Sequence, residues 1–197
     1  MNDKYIDELE DKYKLSYLDF KKGRFNTEEW GSHQPLLIHT VNTITEGSVM
    51  ELGIGDNSTP LLHLLCEKQG RKLYSYEFDE QWYDKYKHYE NENHELFLIT
   101  GRQFKDKEFS LHWLHHSILF IDSHPSWTRQ WTIDNLTDNA DYFIVHDTYY
   151  TQNGQIKSDN NYNFDKFKYV KHFNKVNRVS TLFSNKEMPS SLTEIFT

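Results

Sequence analysis

Cysteine and alanine are nearly missing from this chain. Cys66 is the single cysteine in 197 residues, which excludes an internal disulfide, and its apolar helical surroundings make it a core residue. Ala140 is the single alanine, so burial falls to Leu, Ile and the aromatics, which make up 16% of the chain. No apolar run reaches the roughly 20 residues that span a bilayer. The start, Met1-Asn2-Asp3-Lys4-Tyr5-Ile6, lacks the apolar segment of a signal peptide, so a cytoplasmic location is expected. Basic charge is also short. The net charge is −8, and the longest basic run is Lys21-Lys22-Gly23-Arg24. Nucleic acid is therefore disfavoured as the main substrate.

Short apolar runs alternate with longer amphipathic ones, the pattern of an α/β fold. Strands are expected at 49–52, 73–77, 96–99, 118–122 and 142–146, with helices over 58–69, 80–91, 104–115 and 127–138 between them. Ser32 or His33 is expected to cap an earlier helix with Pro35 in its first turn. Two alternating runs, 169–174 and 178–184, separated by a few polar residues, read as a hairpin. Residues 1–29 read as a charged, weakly helical extension ahead of a domain over 30–197.

The most informative segment is Val49-Met50-Glu51-Leu52-Gly53-Ile54-Gly55-Asp56-Asn57-Ser58-Thr59-Pro60, between the first strand and a helix. Gly53 permits a tight turn, and Gly55 lets the backbone approach a ligand. Ser58 is placed to cap the helix, with Pro60 in its first turn. Glu77, 22 residues after Gly55, ends the second strand, where a carboxylate pairs with ribose hydroxyls in nucleoside sites. Asp79 is assigned to cap the next helix. A dinucleotide fingerprint would place a third glycine where Ser58 stands. A strand–turn–helix without a ligand would use the same glycines.

Glu51-Leu52-Gly53-Ile54-Gly55 followed by Ser58-Thr59 resembles motif I of class I S-adenosylmethionine-dependent methyltransferases. With Tyr76-Glu77-Phe78-Asp79, Phe120-Ile121-Asp122-Ser123-His124-Pro125 and Phe143-Ile144-Val145-His146-Asp147-Thr148, it is similar to their small-molecule and sugar O-methyltransferase branch from about residue 30 to 184. That resemblance implies a Rossmann-like three-layer sandwich with a mostly parallel seven-stranded sheet ending in an antiparallel hairpin. It also implies that Glu51, Gly53, Gly55, Ser58 and Thr59 surround the methionine moiety and Glu77 the ribose. Thr100-Gly101-Arg102 falls where other members contact adenine.

In an open α/β sheet, chemistry sits beyond the carboxyl ends of the strands. Asp122 and His124 close the fourth strand, and His146 and Asp147 the fifth, so all four are candidate catalytic residues. A histidine could take the acceptor's proton with a carboxylate orienting it. Alternatively, Asp122 and Asp147, with His146, could hold a divalent metal. Arg129 is either a solvated helix residue or a partner of Asp122. Trp127, Arg129, Tyr149 and the polar, aromatic segment 149–167 are expected to bind a small-molecule or glycan acceptor. His112, His115 and His116 precede the fourth strand and belong to the opposite edge. The reading is an O-methyltransferase. Its rivals are an NAD-type oxidoreductase and a non-catalytic binding module with the same fold.

Overall fold

The computed structural model describes residues 31–105, 114–152, 155–158, 162–175 and 178–197. The extension expected over 1–29 lies outside them, as does most of the helix expected over 104–115. The described elements in chain order are α1 (Gln34–Thr43), β1 (Val49–Leu52), α2 (Thr59–Gln69), β2 (Leu73–Glu77), α3 (Glu80–Tyr86), β3 (His94–Leu98), α4 (Gly101–Lys105), β4 (His116–Ile121), α5 (Trp127–Asn135), β5 (Ala140–Gln152), β6 (Gln155–Ser158), β7 (Tyr169–Phe173), β8 (Arg178–Ser184) and α6 (Ser190–Thr193).

Seven strands lie in the order β3-β2-β1-β4-β5-β8-β7, and β6 pairs only with β5. The first five are parallel, and β8 and β7 close the sheet antiparallel. This is the mostly parallel sheet ending in a hairpin that the sequence implies. Strand β4 shows why it forms a middle layer. All six of its residues are buried, because helices cover both faces of a parallel sheet. Ile118 and Phe120 join Leu36, Leu37, Val41, Leu61 and Leu62 on the face covered by α1 and α2. Leu119 and Ile121 join Phe104, Ile133 and Phe143 on the face covered by α4 and α5.

Several boundaries differ from expectation, each for a local reason. Helix α3 stops at Tyr86 and a 3-10 turn follows over Lys87–Tyr89. The Asn91 side chain then accepts from the Asn93 and His94 N–H groups, both at 2.8 Å, an Asx turn that ends helical pairing. Strand β5 does not end at His146 but runs to Gln152 and pairs with β6. Within the segment 149–167, residues 149–152 therefore pair with 155–158 as antiparallel strands.

Candidate active site

The carboxyl ends of β1, β2, β4 and β5 open on one edge of the sheet, and the candidate residues gather there. At β1 the chain turns at Gly53, whose φ of 95° favours glycine. Gly55 N–H donates to Thr59 Oγ1 at 2.9 Å, and Thr59 Oγ1 donates to Glu51, 3.0 Å from either oxygen. Ser58 occupies the N-cap position of α2, yet its side chain makes no cap bond. The expected Ser58 cap is thus replaced by the Thr59–Glu51 link. Glu51 is fully buried under the loop. Burial lifts its carboxyl to about 7 against the hydrogen bonds of Ser58, Ser75 and Thr59.

Glu77 ties the loop to β2. Its Oε2 accepts from Ile54 N–H at 2.7 Å, and its Oε1 accepts from Phe78 and Asp79 N–H at 2.7 and 2.9 Å. A carboxylate offers about four acceptor positions, so one remains on Oε2. Asp79 caps α3 as expected, accepting from Gln81 and Trp82 N–H. Phe78, Phe104 and Trp127 form an aromatic wall nearby, with Phe104 edge-on to both other rings. Gly101 lies against Trp127.

Across the edge, β5 bulges where its parallel pairing with β4 ends. Its register with β8 shifts between Val145 and Tyr149, and Asp147 takes a left-handed φ of 55°. Bulges re-aim side chains, and a non-glycine residue in this region carries a cost of order 1 kcal/mol. The result brings His146 and Asp147 both toward Asp122. His146 Nδ1 lies 3.1 Å from Asp122 Oδ2, and His146 Nε2 lies 3.4 Å from Asp147 Oδ1.

Arg129, from α5, binds the cluster together. It meets Asp122 Oδ1 at 2.8 Å and Asp147 Oδ2 at 3.6 Å, and donates to the carbonyls of Ser123 and His146 at 2.9 and 3.0 Å. Of the two readings of Arg129, the ion pair holds. Burial would raise the Asp122 carboxyl, but His146, Arg129 and His33 outweigh it and hold it down at about 2. Arg178 Nη1 approaches Asp147 at 3.9 Å, and Tyr162 stands beside Arg129.

Two residues read as helix caps turn out to belong to this site. His33 takes the N-cap position of α1 without a side-chain cap bond. Ser32 Oγ instead lies 3.0 Å from His146 Nε2 and donates to the Arg178 carbonyl at 2.9 Å. The His33 ring sits edge-on to His146 with centroids 4.4 Å apart, and burial with the His146 charge presses it down to about 3. Neither of its ring nitrogens has a hydrogen-bond partner among the described residues. The only sequence signal was a pair of polar residues ahead of Pro35.

The remaining candidates separate. His124 is exposed on the turn after β4 and takes no part in this network. Tyr149 lies edge-on to His172. His115 is at the opposite edge, where it helps line a cleft of about 420 Å³ with Glu46, Ser117, Asp141 and Lys186. His116 begins β4 at that edge too, and His112 lies outside the described residues. That cleft contains none of the loop or cluster residues.

No family model matches the chain, and no curated protein matches its sequence. Solved structures do share its fold, several of them methyltransferases by name. A Staphylococcus aureus protein assigned as a caffeoyl-CoA O-methyltransferase superposes with a TM-score of 0.54 and 13% identity, over 75% of this chain and 81% of its own. The methyltransferase domain of a bacterial Hen1 gives 0.52 and 12% identity, over 77% of this chain and 98% of its own. WbdD gives 0.52 and 14% identity, over 79% of this chain but only 39% of its own length.

Proposed function

We propose that the chain is an S-adenosylmethionine-dependent O-methyltransferase acting on a hydroxyl of a small polar acceptor, with a glycan sugar the leading class. The observation that carries this reading is the opening of the Gly53–Thr59 loop and the Asp122–Arg129–Asp147 cluster on one sheet edge. The loop fits the cofactor. A Cβ placed on Gly55 would meet only Ser58 Oγ, at 3.7 Å, so the backbone there is open to a ligand. Glu77 keeps an acceptor position for a ribose hydroxyl, and the Phe78 and Trp127 rings, backed by the buried Phe104, offer faces for adenine.

When bound, the cofactor supplies an electrophilic methyl group. The chain's own work is to orient the acceptor and take its proton. His146 is 1% exposed, so it acts from behind Asp122 and Asp147 and not on the acceptor itself. The carboxylates, with side chains 23% and 16% exposed, face the opening. A hydroxyl oxygen that accepts a methyl group becomes strongly acidic, so a carboxylate suffices to take its proton, and His146 holds that carboxylate in place.

The metal expectation meets a specific obstacle. A hard divalent ion between Asp122 and Asp147 would have to displace Arg129, which already bridges them. The convergent set among the described residues is instead His33, Asp122 and His146, with ligand atoms within 4.8 Å of one another. Its donors suit a borderline ion such as Zn²⁺ better than Mg²⁺ or Ca²⁺. Equilibrium dialysis is expected to show no Mg²⁺ uptake tighter than about 1 mM, with any Zn²⁺ uptake lost in His33→Ala. Micromolar Mg²⁺ binding abolished by Asp147→Asn would reverse this assignment.

Calorimetry with S-adenosylhomocysteine tests the cofactor. Wild type is expected to bind. Gly55→Val and Glu77→Gln should bind at least about tenfold more weakly, with thermal melts showing that both variants fold. Absence of binding by the wild type, or unchanged affinity in both variants, would reject the reading.

A further inference from the structure

Polar groups cross three adjacent strands on the otherwise apolar face under α2. Ser75 Oγ lies 2.7 Å from Glu51 Oε2 and 2.9 Å from His94 Nε2, and His94 Nδ1 lies 2.9 Å from His63 Nδ1. All four side chains are at most 2% exposed. Apolar residues would fill this space at lower cost than a buried carboxylate and two imidazoles.

We propose that Glu51, Ser75, His94 and His63 form a proton wire, through which cofactor binding over the Gly53–Thr59 loop is coupled to release of one proton. The row has two self-consistent arrangements. In the first, His63 Nδ1–H donates to His94 Nδ1, His94 Nε2–H to Ser75 Oγ, and Ser75 O–H to an ionised Glu51. Adding a proton at the His63 end shifts each bonded proton one place along. Glu51 is then a carboxylic acid donating to Ser75 Oγ, Ser75 donates to His94 Nε2, and His94 Nδ1–H donates to His63 Nδ1. Both rings stay neutral and exchange tautomers. One proton has entered at His63 and one has arrived on Glu51, and no hydrogen bond is lost.

Charges around the row support this assignment. Glu77 raises Glu51, and Glu51 in turn raises the Cys66 thiol, which lies beside Arg71. Glu67, His88 and the Tyr89 ring border His63. Burial lowers His63 to about 4 and His94 to about 3, so Glu51 is the member that changes charge near neutrality. Its ionised form accepts from Thr59, which in turn accepts the Gly55 N–H. S-adenosylmethionine carries a net positive charge and favours that form, whereas neutral S-adenosylhomocysteine favours it less. This coupling rests on the cofactor reading above, but the wire itself does not.

Nitrogen-15 NMR of the imidazoles reads the tautomers directly. As the free protein is taken from about pH 8 to about pH 5.5, His63 and His94 are expected to exchange tautomers together, with one midpoint. At about pH 6.5, S-adenosylmethionine should restore the high-pH pair, and S-adenosylhomocysteine should do so less. The exchange should vanish in Glu51→Gln and in Ser75→Ala, which cuts the row should the first variant fail to fold. Rings that titrate separately, or that exchange in a folded variant of either kind, would overturn the wire. S-adenosylmethionine that binds without moving the rings would overturn the coupling. If neither nucleoside binds, the cofactor reading fails, and the titration of the free protein still decides the wire.

Discussion

Gly53→Ala is expected to destabilise the protein by about 3 kcal/mol or more, whereas Gly55→Ala should leave the fold within about 1 kcal/mol. The two glycines are two residues apart in one loop, but their surroundings differ. A Cβ on Gly53 would stand 2.5 Å from the Asp122 carbonyl oxygen, 2.6 Å from its carbon and 2.7 Å from Ser123 Cα. These are backbone atoms at the end of β4 and cannot rotate aside. The φ of 95° adds strain for any other residue. Gly53 N–H also donates to the Tyr76 carbonyl at 2.9 Å, so neither side can yield without parting β1 from its neighbours. Gly55 has room for a methyl group, so its substitution is felt by a ligand and not by the fold. Thermal unfolding separates the two. Gly53→Ala should melt about 6–12 °C below wild type, and a melt equal to wild type would show that β1 and β4 can move apart at this point.

The side of the site formed by the Gly53–Thr59 loop and Glu77 was legible in the sequence because its signals are local. Val49–Leu52 and Leu73–Glu77 are short buried strands, the first followed directly by glycines and a helix start and the second by a capping aspartate, and such local patterns carry their own boundaries. Asp79 was readable as a cap because capping involves only the next three residues. The acceptor side depends on contacts between distant segments. Ser32 and His146 are 114 positions apart, and Ser32-His33-Gln34-Pro35 has every local mark of a helix start. The bulge at His146–Thr148 was hidden for a similar reason. Val145 to Thr151 continues to read as strand, with no local mark of the register shift. His63 is the one polar residue in Leu61-Leu62-His63-Leu64-Leu65, a local mark that by itself names no partner. Its partner His94 begins β3 while His63 lies on α2, so the pair becomes visible only when the helix packs on the sheet.

Arg129→Met should cost about 3–5 kcal/mol of stability, because it leaves two neighbouring carboxylates and the carbonyls of Ser123 and His146 without their common donor. The Arg129 side chain is 12% exposed, so solvent replaces little of what is lost. Lysine should restore only part of it, since one ammonium cannot reach both carboxylates and both carbonyls as a planar fork does. The pH dependence gives a second, independent readout. Asp122 is depressed to about 2 in the folded state, against about 3.9 when unfolded. Its ionisation therefore stabilises the fold fully above about pH 4, and the contribution is lost as pH falls toward 2. Without Arg129 one of the groups holding Asp122 down is gone, so its carboxyl rises and the acid limb of the stability curve moves to higher pH. Under the proposed function, methyl transfer should fall by about a hundredfold, as for loss of a positioned charge at a reacting centre. Urea unfolding at pH 7 and pH 4 measures the first two effects. A variant within about 1 kcal/mol of wild type at both pH values would show that Arg129 does not bind β4 to β5.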